Sequence, residues 1–193
     1  MSQTIQLDVA GAGNAFEQGL ELTQQGNYAD AIAHFEQAIQ LNPTDAILHS
    51  HLGWAAFSLG RYDTAIHGYQ AALALQPDLE TAHHSLGLAF YATQQYEAAI
   101  GYFRTALERH PNLEDIWFCQ GYCLYATHRY EGAIQHFNTA LTLQPSYYEA
   151  LVFRGDALKE LGDWEAALAS YGKALELQDA DGDLWFRWAN GQK

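Results

Sequence analysis

Apolar and polar positions alternate along this chain with the period of a helix, and the pattern restarts at a fixed interval. In Gly26–Pro43, GNYADAIAHFEQAIQLNP, the residues Tyr28, Ala31, Phe35 and Ala38 fall three or four apart with polar residues between them. That spacing places them on one stripe of a helix. The skeleton returns as GRYDTAIHGYQAALALQP, TQQYEAAIGYFRTALERHP, THRYEGAIQHFNTALTLQP and GDWEAALASYGKALELQD. The pattern predicts paired helices near 13–25 and 29–41 and their counterparts every 34 residues.

Prolines stand at 43, 77, 111 and 145 only, and their spacing of 34 sets the frame. The frames are 12–45, 46–79, 80–113, 114–147 and 148–181, preceded by a tail, 1–11, and followed by a short segment, 182–193. Position 8 of each frame is Gly19, Gly53, Gly87, Gly121 or Gly155. Positions 17, 20, 24 and 27 carry an aromatic, Ala, an aromatic and Ala in all five. Small residues alternating with rings let a neighbouring helix approach and interlock. Proline at position 32 ends the second helix, since it lacks an N–H and clashes with the preceding turn. Asp78 and Asn112 are then expected as N-caps, and Ser146 with Glu149 as a capping box. Position 15 holds Gly26, Gly60 and Gly162, suited to a left-handed helix end. Gln94 and His128 stand there in the third and fourth frames, at a cost of up to ~1 kcal/mol each if the backbone is kept.

This repeat resembles the tetratricopeptide (TPR) repeat, a helix–turn–helix unit of the same period. The resemblance covers 12–181. It departs at position 4, where Ala15, His49, His83 and Leu151 replace an aromatic that only Trp117 keeps, and at Asp179, which replaces the last proline. The resemblance implies an all-α fold, a right-handed α-solenoid of five repeats whose first helices line a concave side. Residues 182–193 continue the frame as a short C-terminal capping helix.

In that family, positions 2, 5, 9, 12 and 13 of the first helix face the groove. The resemblance therefore implies a partner-binding surface formed by Phe16, Leu20, Trp54, Phe57 and His84, continuing through Tyr91, Phe118, Tyr122 and Tyr125. Clustered aromatics are what protein-binding hot spots are made of. The same rings can instead pack against one another and thicken the wall. Some TPR domains hold acidic tails with Lys and Asn at positions 5 and 9. Here those places hold Phe16 and Leu20, or Ser50 and Trp54, so an acidic carboxylate ligand is disfavoured.

The charge balance narrows the partners further. The chain has 23 Asp and Glu against 9 Lys and Arg, a net charge of −14, and no Lys or Arg before Arg61. Nucleic acid and anionic membrane surfaces need basic patches, so neither is an expected partner. No run of about 18 apolar residues is present to span a membrane, and the N-terminus lacks the features of a signal peptide. The expected partner is a protein segment, a peptide or helix that is apolar and basic in character, and the expected location is cytoplasmic. Cys119 and Cys123, at i and i+4, would share a helix face and read as reduced thiols. The His residues are scattered and match no metal spacing. DADGD at 179–183 lacks the Gly and Glu of a calcium loop and reads as a turn. No phosphate loop and no catalytic constellation stands out. The expectation is a protein that is not an enzyme and carries no cofactor and no metal.

At the ends, Ile5, Leu7 and Val9 alternate as in a short extended segment. Trp185, Phe186 and Trp188 give the capping helix more apolar surface than a lid needs, and are candidates for self-association into a homo-oligomer. Two readings of function follow: an adaptor or assembly factor presenting an aromatic groove, or a self-associating scaffold working through its ends. An enzyme or metal-binding accessory is a remote third.

Overall fold

The computed structural model describes residues 8–177. Ten helices account for the regular structure, with no strand among the described residues: α1 (Val9–Gln24), α2 (Tyr28–Leu41), α3 (Ala46–Ser58), α4 (Tyr62–Leu75), α5 (Glu80–Ala92), α6 (Tyr96–Arg109), α7 (Glu114–Ala126), α8 (Tyr130–Leu143), α9 (Tyr148–Glu160) and α10 (Trp164–Leu177). They fall into two compact units, the first ending at Gln94 and the second beginning at Gln95.

In the first unit α1 packs on α2, α2 on α3, α3 on α4 and α4 on α5, and the first helices α3 and α5 also touch. The second unit repeats the scheme: α6 on α7, α7 on α8, α8 on α9, α9 on α10, with α7 touching α9. The stripe read from the sequence is the core. The alanines at position 20, from Ala31 to Ala167, are buried, as are Phe35, Tyr69, Phe103, Phe137 and Tyr171 at position 24. The position-8 glycines let those rings in. A β-carbon on Gly19, Gly53, Gly121 or Gly155 would fall under 3.0 Å from the ring of Phe35, Tyr69, Phe137 or Tyr171. Position 17 behaves differently from the rest of the stripe. Tyr28, Tyr62, Tyr96 and Tyr130 are half-buried and Trp164 is exposed.

The helix ends keep one backbone in all five repeats. Gly26, Gly60 and Gly162 have φ of +76°, +74° and +82°, and Gln94 and His128 take +59° without being glycine. The starts differ from expectation. The residues that cap α5, α7 and α9 are Leu79, Leu113 and Tyr147, none with a side-chain cap bond. Asp78, Asn112 and Ser146 sit one residue further out, in the turn that follows each proline, where the Leu79 and Tyr147 N–H groups donate to the Gln76 and Gln144 carbonyls. In the second repeat an acid does reach the cap of the first helix: Asp45 accepts from the Ile47 N–H at 2.9 Å. The first helix begins at Val9, inside the stretch read as tail, because Asp8 caps it by accepting from the Gly11 N–H at 2.9 Å.

The histidines at position 4 do the work of the aromatic they replace. The Nε2 atoms of His49 and His83 lie 3.0 and 2.8 Å from the carbonyls of Pro43 and Pro77. The Trp117 indole N–H donates to the Pro111 carbonyl at 2.8 Å. A ring nitrogen thus meets the carbonyl of Pro43, Pro77 and Pro111 in turn.

Candidate functional site

In the first unit the inner positions of α1, α3 and α5 surround a cavity of about 370 Å³. Leu20 and Thr23 come from α1, Ser50, His51 and Trp54 from α3, Thr81 and Ser85 from α5, and the Tyr69 ring from α4. The sequence-predicted residues Leu20 and Trp54 are therefore brought together. Trp54 is 42% exposed, and Tyr28 holds it edge-on at 5.6 Å between ring centres. Tyr62 does the same for Phe57 at 5.4 Å. The half-buried position-17 tyrosines thus set the orientation of the inner aromatics. Phe16 packs on the buried Phe35 at 5.8 Å and edge-on against His51 at 5.0 Å, so it backs the cavity through His51. His84 and Tyr91 are half-buried on α5.

The cavity carries no formal charge near neutral pH. Burial pulls the His51 imidazole below its ordinary value and keeps it neutral. Burial pushes the Tyr69 phenol up to about 12, against the effect of its hydrogen bond with Ser85. The Thr23 hydroxyl is spent on the Leu20 carbonyl at 2.6 Å. Such a site receives apolar or aromatic groups and penalises a buried carboxylate.

The second unit treats its inner face differently. Phe118 is buried rather than open, because Tyr147 and Phe153 cover it at 5.1 and 5.9 Å and Phe137 backs it at 5.9 Å. Tyr122 and Tyr125 are half-buried and touch each other. Phe153 packs on both, at 4.9 and 5.8 Å. Here the predicted rings form a wall. Phe153 was missed because position 6 was not among the groove positions considered, and the same omission hid His51 and Ser85. The signal was available: position 6 reads Glu17, His51, Ser85, Cys119 and Phe153, a different residue in every repeat. Asp156, also at an inner position, is buried and accepts a 2.8 Å hydrogen bond from the Tyr171 hydroxyl, so its carboxylate is turned into the second unit's core. Cys119 and Cys123 are free thiols, each pushed up to about 12 chiefly by burial, and are therefore protonated and unreactive. A cavity of about 380 Å³ between α6, α7 and α8, rimmed by Arg104 and Glu108, includes none of the predicted groove residues. Trp185, Phe186 and Trp188 lie outside the described residues.

Among the described residues no helix is long and apolar enough to cross a membrane. Tetratricopeptide repeat models match residues 16–80, 84–148 and 148–181. No curated protein matches the sequence. Solved structures do. "YrrB: a TPR protein with an unusual peptide-binding site" is 20% identical, with a TM-score of 0.84 over 91% of this chain and 90% of that one. MamA from Desulfovibrio magneticus RS-1 is 18% identical, with a TM-score of 0.83 over 89% of this chain and 97% of that one. MamA AMB-1 is 26% identical, with a TM-score of 0.81 over 91% and 96%.

Proposed function

This chain belongs to the tetratricopeptide repeat family, and on that premise we propose that it is a protein-interaction scaffold that holds a segment of a partner protein against the inner side of its first helices. The observation that carries this reading is the open cavity beside Trp54. It joins three first helices, is lined by uncharged groups, and keeps a large ring exposed at its mouth. Trp and Tyr give contact area at low entropic cost, which is why they dominate binding hot spots. The peptide-binding site named for YrrB supports the reading to the extent that the same fold can carry one. The acidic balance of the chain favours a segment with basic residues.

The test is selection of peptides from a random display library, followed by calorimetric titration of wild type, Trp54→Ala and Leu20→Ala. Binding is expected to weaken at least about tenfold in Trp54→Ala, with helicity unchanged and with the exposed-helix control Gln70→Ala neutral. Selected peptides that bind both cavity variants like wild type would overturn the proposal.

A further inference from the structure

The two units are built on one plan, and the second shows what the cavity of the first is shaped to hold. Moving two repeats along the chain carries Trp54 to Tyr122, Tyr69 to Phe137 and Tyr28 to Tyr96. These frame residues keep their relations. Tyr28 stands edge-on to Trp54 at 5.6 Å, and Tyr96 edge-on to Tyr122 at 6.1 Å. The Tyr69 ring lies over Gly53 as the Phe137 ring lies over Gly121. The same step carries Ser50 to Phe118 and Ser85 to Phe153. In the second unit the Phe153 ring fills the space within this frame, 4.9 Å from Tyr122, 5.9 Å from Phe118 and stacked at 6.5 Å on Phe137. In the first unit two serines stand in place of those two phenylalanines, and the space is the 370 Å³ cavity.

From this correspondence, and resting on the proposed scaffold reading, we infer that the cavity is a receptor for one aromatic side chain of a partner protein's segment, seated against Trp54 and Tyr69 as Phe153 is seated against Tyr122 and Phe137. The flanks of that segment are lysine or arginine. Up to Gln94 the chain has one Lys or Arg, Arg61, against nine Asp and Glu. Glu17 is exposed one helical turn before the cavity residue Leu20, on the same side of α1. An uncharged hole with room for a ring, in a unit whose formal charges are mostly acidic, favours an aromatic anchor between cations and disfavours an acidic segment.

The experiment uses three synthetic peptides, acetyl-KKFKK-amide, acetyl-KKAKK-amide and acetyl-EEFEE-amide, titrated into the full chain while the Trp54 indole N–H resonance is followed. The phenylalanine peptide with lysine flanks is expected to shift that resonance and to bind at least about tenfold more tightly than either of the others. Ser85→Phe supplies the ring internally, as the second unit does, so it is expected to weaken binding of acetyl-KKFKK-amide at least about tenfold with the circular dichroism spectrum unchanged. Ser50→Phe is the second occluding variant should Ser85→Phe fail to fold. Equal binding of the phenylalanine and alanine peptides, or full binding by a folded occluded variant, would overturn the inference. Library peptides that depend on Trp54 yet contain no aromatic residue and bind Ser85→Phe normally would overturn it while leaving the scaffold reading standing. Loss of the scaffold reading alone would show as library peptides indifferent to Trp54.

Discussion

The first and second units use the same scaffold and finish it differently. Both bury Ala at position 20 and a ring at position 24, and both stack that ring on a position-8 glycine. In the second unit Phe118, Tyr122, Tyr125 and Phe153 satisfy one another, and an aromatic-rich face becomes a wall. In the first unit Ser50 and Ser85 leave that space open beside an exposed Trp54. The lesson is that a count of aromatics does not locate a binding face. The two units carry the same number of inner rings, Phe16, Trp54, Phe57 and Tyr91 in the first and Phe118, Tyr122, Tyr125 and Phe153 in the second, yet those of the second are covered, because rings at positions 5 and 6 of neighbouring first helices meet. Two small side chains, not the large ones, create the candidate site.

This comparison can be broken first at the shared scaffold. Ala65 and Ala99 occupy the same repeat position in the two units, and each is 0% exposed. Replacement of either by Arg is expected to cost about 3–5 kcal/mol, since a buried charge without a partner carries most of its desolvation cost. Thermal melts showing that one unit tolerates the change would mean that the scaffolds are not equivalent. A smaller effect separates the finishes. Phe153→Ser removes a ring that four others touch and is expected to lower stability by about 2–3 kcal/mol in denaturant titrations. Ser85→Phe fills a void but removes the hydrogen-bond partner of the buried Tyr69 hydroxyl, so it is expected to cost less, about 1–2 kcal/mol.

The left-handed turns offer a finer comparison. Gln94→Gly, in the first unit, is expected to raise stability by up to about 1 kcal/mol, because glycine takes φ of +59° without strain. His128→Gly, in the second, should gain less, since it also loses the 2.7 Å bond between His128 Nδ1 and the Tyr130 hydroxyl. Melting temperatures of the two variants rank them. The smallest effect concerns acid. His51 in one unit and His136 in the other are both held below the ordinary imidazole value by burial. Folding then favours their neutral forms. Their contribution is fully present above an unfolded value of about 6.5 and is lost as pH falls through each folded value. His51→Gln and His136→Gln should each flatten the fall in melting temperature on acidification below pH about 6.5, and a slope unchanged in both would reject the assignment.

The repeat, its period, its two-helix unit and its core stripe were determined by the sequence alone. Each depends on a local requirement that recurs: a ring that needs a glycine opposite and an alanine that needs to be small, in five copies, and a proline that must stop a helix, in four. Agreement over five copies makes such requirements legible without coordinates. Even the strained turns at Gln94 and His128 followed from what glycine does in the other three copies. The caps did not, since Asp78, Asn112 and Ser146 are good capping types one residue away from where the helices start, and a proline turn of fixed geometry overrode their preference. Leu20 and Trp54 were legible as inner residues by their place in the repeat. Whether an inner ring is open or covered was decided only by tertiary structure. Phe118 and Trp54 share a face in the sequence pattern, yet one is buried and the other is 42% exposed. Tyr147 and Phe153 cover Phe118, whereas Ser85 is what the next first helix brings to the cavity beside Trp54. Covering is a property of neighbouring helices in contact, and no single repeat contains it.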